Sequence, residues 1–305
     1  MLVDHANLVE LFTGYKAAYQ RGLGVATPMW DQIAMKQPST SEVERYDWLG
    51  TMPGMREWFD DRAILSIGSH GFSIRNRSWE QTIGVEREKI EDDLHGIYTP
   101  LAQRMGEATT LHLDELVYDL LDAGRTTLGY DGVEFFDASH PNNADIGGTQ
   151  SNVNTGSGPY WYLADLSSGI KPIILQMRKE AEFVSKTALT DDNVFFSKQF
   201  LMGVDARYNV GFGPWQQMYA CGDALNEANL ESALIAMSEI TGPNGKQLSI
   251  HATHLIVPTT LQYTAMRLLN SNVLLGEGPS GEDGPRDNIL KGSVQLIVSK
   301  HLARS

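Results

Sequence analysis

The longest uninterrupted helical pattern runs from Thr99 to Ala123. Thr99 suits an N-cap and Pro100 the first helical position, and Gly106 is the only later glycine or proline before Gly124. At about 1.5 Å per residue, this stretch predicts a helix of roughly 36 Å. Its apolar stripe consists of Leu101, Met105, Ala108, His112, Leu116 and Leu120, widened by Leu113, Val117 and Leu121. Such a helix is a structural spine, against which the rest of the chain must pack.

A second amphipathic pattern lies at the start of the chain. Asn7 can cap a helix, and Gly22 with Gly24 predicts its end. The apolar residues between them recur at helical spacing and are Leu8, Leu11, Phe12, Tyr15 and Tyr19. No neighbouring stretch of sequence offers a partner for this stripe. We therefore predict a short amphipathic arm whose partner lies elsewhere.

From Ser39 to Asp93 the pattern changes to the alternation that is typical of strands. Its large apolar residues are Trp48, Trp58, Phe72, Ile74, Trp79, Ile83 and Val85. One strand-like stretch alternates around Phe72 and Ile74 and a second around Trp79, Ile83 and Val85, and the two predict the arms of a long hairpin. A hairpin with little core around it is marginal in water and has open edges, which indicates a partner chain.

The second half of the chain mixes strands and helices, which is typical of an α+β fold. The stretch from Asn142 to Pro159 is rich in Gly, Asn and Ser and predicts a mobile loop, and the stretch from Gly276 to Asp287 predicts another loop. The ordered elements predicted here are strands between Tyr160 and Met218, a helix capped by Asn226, a buried strand from His254 to Pro258, a helix with Leu261, Ala265 and Leu268, and a last strand from Ser293 to Ser299.

Charge and composition limit the function. The 305 residues carry 24 Lys and Arg against 38 Asp and Glu, a formal net charge of -14. That sign argues against sequence-specific nucleic-acid binding but fits a surface that lies near DNA without adhering to it. Cys221 is the only cysteine, which excludes an internal disulfide. The N-terminus has no leader pattern and no apolar run approaches the ~20 residues of a membrane span, so a soluble intracellular protein is expected.

One cluster carries residues that could do chemistry. Asp131, Glu134, Asp137 and His140 recur every three residues, and all are types that bind divalent metals or transfer protons. Gly132 and Pro141 favour a strand leading into a turn. In a strand this spacing places Asp131 and Asp137 on one side and the other two residues opposite, so the four would not converge on an ion. The structural alternative is turn chemistry, in which Asp137 and Ser139 bond nearby amides.

Motifs for other chemistry are missing from the sequence. It has no GxSxG, no HExxH, no Walker A and no GxGxxG after a strand. We therefore expect no cofactor, no metal and no enzymatic activity. The alternative hypothesis is a metal-dependent hydrolase centred on Asp131, Glu134, Asp137 and His140.

A set of ordered strings resembles a known family over nearly the whole chain. The sequence is similar to the Mu-like phage major head subunits, the T-protein coat subunits. The strings are YDWLG, REWFDDR, IEDDLHGIYTP, DELVYDLLDAG, YDGVEFFDASHP, WYLADLS, DDNVF, GVDARYNVGFGPWQ, LIVPTTL and LKGSVQLIVS.

The resemblance implies an α+β capsid fold of the Hong Kong 97 type. It implies an N-terminal arm over residues 1–36, an extended hairpin over 37–90, a peripheral domain over 91–220 with the spine helix at 99–123, and an axial domain over 221–305. The segment from Tyr160 to Ala220 precedes the Asn226 helix, whereas its counterpart in better-known members of this fold comes last. The boundary between the last two domains therefore depends on the connectivity.

The resemblance also implies a function and partners. The chain would be the major capsid protein of a tailed phage or prophage, forming the hexamers and pentamers of an icosahedral shell around double-stranded DNA. It would assemble in the bacterial cytoplasm and end in the virion, without a membrane. Because the sequence starts directly at the arm, a separate scaffold and protease are expected. A portal is expected as well, and whether a decoration protein binds is an open question. Packaged DNA would be near the chain without specific contacts.

The assembly interface is predicted from the apolar residues of the arm and hairpin. These are Leu8, Leu11, Phe12, Tyr15, Trp48, Trp58, Phe72, Ile74, Trp79, Ile83 and Val85. In the shell they would bury apolar area on neighbouring copies. For each of them, the alternative is ordinary packing within its own subunit.

Overall fold

The computed structural model describes residues 5–49, 71–92, 97–141, 147–188, 190–242, 247–277 and 283–304. The α-helices in these residues are α1 His5–Val25, α2 Trp30–Ile33, α3 Arg87–Glu91, α4 Thr99–Asp122, α5 Asp192–Ser197, α6 Glu227–Ser238 and α7 Gln262–Asn270. The strands are β1 Ala34–Pro38, β2 Val43–Arg45, β3 Ser73–Arg75, β4 Arg77–Glu86, β5 His140–Pro141, β6 Thr149–Gln150, β7 Val153–Asn154, β8 Trp161–Ala164, β9 Ile173–Lys186, β10 Gln199–Phe212, β11 Met218–Cys221, β12 His254–Pro258, β13 Val273–Glu277, β14 Asp283–Asp287 and β15 Gln295–Ser299. Among these helices, none combines the length and apolarity that a bilayer-spanning segment needs.

The predicted spine is confirmed as α4, which spans 24 residues with Pro100 in its first turn. Its two halves contribute to different cores. Val117 and Leu121 lie in the main core, while Ala102 and Met105 lie in a smaller one, the arm core. The buried residues of the arm core are Leu8, Phe12, Tyr15, Ala18, Tyr19, Val85, Ile90, Ala102, Met105, Phe183, Val194, Phe200, Met202 and Val204. The spine therefore joins the two hydrophobic units of the chain.

Two sheets flank the spine. The four-stranded sheet has the order β1-β9-β10-β4, and its central strands β9 and β10 are each 14 residues long. The five-stranded sheet has the order β15-β12-β8-β11-β7. In the second sheet β8 is antiparallel to both of its neighbours, and all four of its side chains are buried. A strand that is apolar on both faces needs cover on both, which places β8 at the centre of the main core.

The five-stranded sheet corrects the predicted boundary between residues 220 and 221. That boundary falls inside β11, and the sheet combines β8 and β11 from before it with β12 and β15 from after it. A cut there would separate hydrogen-bonded strands and expose the buried side chains of β8. The chain before and after Cys221 therefore shares one sheet.

The predicted hairpin over 37–90 is also organised differently. β2 pairs with β3 in a small sheet of its own, whereas β4 pairs with β10 from Gln199↔Glu86 to Tyr208↔Arg77. β4 therefore belongs to the four-stranded sheet and not to a separate hairpin. Residues 50–70, which include Trp58, lie outside the described residues.

Two predicted loops contain ordered strands. β13 and β14 pair in antiparallel fashion from Val273↔Asp287 to Glu277↔Asp283, across part of the stretch predicted as a loop. In the other predicted loop, β6 pairs with β5 and β7 pairs with β11. Composition predicted mobility for residues 142–159, but β7 in that stretch pairs with the distant strand β11.

Candidate assembly surface

The apolar stripe of α1 has its partner within the chain. Phe12 packs edge-on against Phe200 with ring centroids 6.0 Å apart, and Tyr19 lies 5.4 Å from Phe183. Leu8 and Tyr15 are buried in the same arm core. This corrects the expectation that neighbouring copies cover the stripe, because β9, β10 and α4 already do so. Their distance in the sequence hid them from pattern analysis.

The contact between α1 and α4 depends on two glycines. A Cβ on Gly22 would lie 2.0 Å from the carbonyl oxygen of Gln103, and a Cβ on Gly106 would lie 2.2 Å from the carbonyl oxygen of Tyr19. α1 ends at Val25, beside the end predicted at Gly22 and Gly24. Gly22 itself lies in the last turn, where the absence of a side chain allows the two backbones to touch.

Asp114 fixes the segment that follows α1. Its Oδ1 accepts hydrogen bonds from the backbone N–H groups of Met29 at 2.8 Å and Trp30 at 2.7 Å. Burial raises the pKa of this carboxyl above its usual value, although the two amide bonds act in the opposite direction. Sequence analysis missed this residue. The available signal was a lone acid on the spine face that also carries Val117 and Tyr118.

The base of the predicted hairpin is held by a buried glutamine. Gln176 on β9 accepts a hydrogen bond from the Tyr46 hydroxyl at 3.0 Å and donates one to the Ile74 carbonyl at 3.1 Å. Ile74 and Val85 are buried within the subunit, contrary to their predicted place at an interface between copies. Ile74 packs in the main core and Val85 in the arm core.

Trp79 joins β4 to the spine. Its indole Nε1 donates to the Tyr208 carbonyl at 3.0 Å, and its ring lies 4.5 Å from that of His112. The Nδ1 of His112 lies 2.7 Å from the Tyr208 hydroxyl. Burial lowers the pKa of His112 below its usual value, and the carboxylates of Glu115 and Asp119 oppose that shift.

This joint predicts acid sensitivity. Because the pKa of His112 is lower in the folded chain, the unfolded chain binds the proton more readily. The stabilising contribution is complete above about pH 6.5 and decreases as the pH falls toward the folded pKa. We expect His112→Gln to destabilise the unassembled subunit more at pH 7.5 than at pH 5.5, measured by urea unfolding. An equal difference at both pH values would contradict this.

The cluster around His140 forms a buried polar network. Its Nδ1 lies 2.6 Å from Asp131 Oδ2, its Nε2 lies 3.0 Å from Asn152 Oδ1, and its ring stacks on Trp215 with centroids 3.8 Å apart. The side chain of His140 is fully buried. Both ring nitrogens are engaged by protein groups, so neither is available to a metal ion.

The structure corrects the predicted geometry of this segment. Asp131 and His140 meet, although strand alternation would place them on opposite sides. Gly132 has φ 88°, and the chain bends there instead of continuing as a strand. The predicted turn chemistry of Asp137 is confirmed, since its Oδ1 accepts from the Ser139 N–H at 2.6 Å.

A hydrolytic centre therefore has no support in the geometry. Glu134 and Asp137 do not complete a ligand set with Asp131 and His140: in the described ranges, no three carboxylate, imidazole or thiol groups converge as a metal site would require.

Asn152 is the residue of this network that sequence analysis missed. Its side-chain amide donates to the Phe135 carbonyl at 2.9 Å, and its Oδ1 accepts from the Asp137 N–H at 3.0 Å as well as facing His140. It lies in the stretch predicted as a mobile loop, yet it is fully buried. No local pattern distinguishes it from its polar neighbours.

Comparison with known proteins places this fold in a family. The chain is 37% identical to the major capsid protein of Escherichia phage Mu over 99% of its length and the whole of that protein. It is 39% identical to the FluMu prophage major head subunit of Haemophilus influenzae, covering 96% of each.

Solved structures agree in three dimensions. A chain of the procapsid of bacteriophage JBD30 is 36% identical and superimposes with a TM-score of 0.83, covering 98% of this chain and all of that one. A chain of the JBD30 capsid gives a TM-score of 0.78 at 28% identity, covering 99% and 100%. The expected α+β capsid fold is thereby confirmed. The model of the Mu-like prophage major head subunit gpT family matches residues 8–302, and the chain belongs to that family.

Proposed function

We propose that this chain is the major head subunit of a phage or prophage and that its copies close into an icosahedral shell around double-stranded DNA. The observation that carries this proposal is the end-to-end match to head subunits, with a TM-score of 0.83 to a procapsid chain at 36% identity. Repeated copies of one chain can close a shell by symmetry.

The charge supports this role. With a net charge of -14, exposed carboxylates repel phosphates within a Debye length of about 8 Å. DNA lining such a shell would remain free to slide during packaging. Contacts with DNA would therefore be non-specific, and the proposed activity is structural, without catalysis.

Contacts between copies would use predicted interface residues that keep exposed surface. These are Leu11, Trp48, Phe72, Trp79 and Ile83. The buried residues of the predicted set would act indirectly, because they hold the arm and the hairpin in the conformation that a neighbouring copy contacts.

The proposal extends to partners and location. We infer a separate scaffold and protease, a portal, and assembly in the host cytoplasm before the protein enters the virion. A decoration protein is supported by one relative: a JBD30 capsid chain from a particle decorated with minor capsid protein trimers superimposes with a TM-score of 0.77 at 28% identity, covering 91% of each chain.

Electron microscopy tests the proposal directly. We expect the full chain, expressed together with the head-assembly proteins of its phage, to form closed particles of uniform diameter. Omission of the chain from the same expression is the control and should leave no shells. Purification of only small, discrete oligomers from the complete system would contradict the proposed function.

A further inference from the structure

Two adjacent phenylalanines stand out on the surface. Phe195 and Phe196 lie on α5, at the turn between β9 and β10, and are 73% and 77% exposed. Their rings contact each other edge-to-face with centroids 5.1 Å apart. Single exposed apolar side chains are common on soluble proteins, but a contiguous exposed aromatic pair marks an interaction site.

The turn that carries the pair is firmly built. The side chain of Asn193 donates to the carbonyl of Lys186 at 3.2 Å and to that of Gln199 at 2.7 Å, and so ties together the ends of both strands. Val194, between Asn193 and the pair, is buried in the arm core. The exposure of the rings is thus not a consequence of a frayed turn.

Further bonds fix both ends of α5. Asp191 Oδ2 accepts from the Ala188 N–H at 3.0 Å. Lys198 takes a left-handed conformation with φ 51°, and its carbonyl accepts from the Arg87 N–H at 2.8 Å. A preorganised platform lowers the entropic cost of binding through the side chains it presents.

The position of the pair suits a contact with another molecule. Strands β9 and β10 begin their pairing in the main core, at Ile173↔Phe212, and run for roughly 45 Å to α5. The phenylalanines therefore lie at one extremity of the long hairpin.

The charges around the pair favour a second copy of this chain. Copies with a net charge of -14 repel each other, so a surface on which they meet must be balanced locally. Exposed Lys186 and Lys198 accompany exposed Asp192 and Glu88 here, with Lys198 Nζ 3.5 Å from a Glu88 carboxylate oxygen. A patch that carries both signs can pair with its own symmetry mate.

The size of the patch points the same way. Two aromatic side chains bury at most a few hundred Å², whereas an independent partner needs about 1,000 Å² or more for stable binding. Copies in a shell are already held together elsewhere, so a small additional patch is sufficient. We infer that Phe195 and Phe196 of neighbouring copies pack against each other at a symmetry axis of the shell; this inference rests on the proposed function.

Removal of the rings is the first test. We expect the double variant Phe195→Ser with Phe196→Ser to melt within about 1–2 °C of the wild-type subunit, because exposed positions contribute little to folding. In the complete assembly system its yield of closed particles should fall at least ten-fold. The matched double variant with leucine at both positions keeps the apolar surface and should retain most of the yield. A serine variant that assembles normally would overturn the inference.

Cross-linking is the second test. Cys221 is buried, so the wild-type chain should not react with the cross-linker and serves as the control. Phe195→Cys and Phe196→Cys, introduced separately, should give covalently linked copies with a short bifunctional maleimide in assembled particles and not in free subunits. Intact particles in which neither cysteine variant cross-links would overturn the contact between copies. So would a serine double variant that assembles normally but no longer binds minor capsid protein. Failure of the wild type to form particles would instead contradict the proposed function.

Discussion

Gly22→Ala is expected to lower the melting temperature of the unassembled subunit by about 5–10 °C, corresponding to about 3 kcal/mol. The added methyl group would lie 2.0 Å from the Gln103 carbonyl oxygen and 2.9 Å from its carbon, both of them backbone atoms of α4. A side chain could rotate away, but a helix backbone cannot. Helix α1 must therefore shift, and the packing of Tyr19 on Phe183 must loosen with it.

Gly14→Ala is the matched control in the same helix. No heavy atom lies within 4 Å of a Cβ placed on Gly14, so the substitution removes only the entropic cost of a helical glycine. It should stabilise the subunit by about 0.5–1 kcal/mol. Differential scanning calorimetry of the two variants gives the comparison. If Gly22→Ala melts together with Gly14→Ala, the close approach of α1 and α4 does not exist in solution.

The elements predicted correctly are those set by local rules. The Thr99–Asp122 spine follows from its first-turn proline and apolar stripe. The Asn226 cap follows from residue type alone, and its side chain does accept from the Asn229 N–H at 2.8 Å. In both cases the decisive interactions lie within one or two turns of helix, where residues close in sequence are also close in space.

The elements predicted wrongly depend on distant partners. The sequence shows Gly22 only as part of a helix end and does not show that Gly106 lies against it. β4 reads as half of a free hairpin because its partner, β10, comes much later in the chain. Apolar periodicity predicts that a face is buried, but not which segment or which copy covers it. For this reason Leu8 and Phe12 could be assigned to an interface when they belong to the arm core.

Of these features, the polar network around Asn152 was the least predictable from the sequence. Asp131 and His140 were identified among four residues of reactive types but were placed on opposite sides of a strand. Their meeting depends on the bend at Gly132 and on the stacking of His140 on Trp215. A composition-based prediction of a mobile loop then concealed Asn152 itself. Buried polar residues are specified by partners from several segments, so no window of sequence contains the information.

Asn152→Ala is therefore expected to have an effect as large as that at Gly22. The change would remove the partner of the Phe135 carbonyl, of the Asp137 N–H and of His140 Nε2, all three of which lose their bond to this side chain. Each buried group without a partner costs about 1–3 kcal/mol, so a loss of at least about 3 kcal/mol is expected. Urea unfolding of the free subunit measures it, and the soluble yield should fall in parallel.

The neighbouring substitution Ser151→Ala provides the control, because Ser151 is exposed and its hydroxyl bonds only locally. It donates to the Val153 carbonyl at 2.9 Å and accepts from the Val153 N–H at 3.2 Å. Its free energy of unfolding should stay within about 0.5 kcal/mol of the wild type. A hydrolytic role for the cluster would require the opposite pattern, with Asn152→Ala fully folded and only an activity lost. Equal stability of the two variants would mean that the segment around Asn152 is as mobile as its composition suggests and that His140 is held by Asp131 and Trp215 alone.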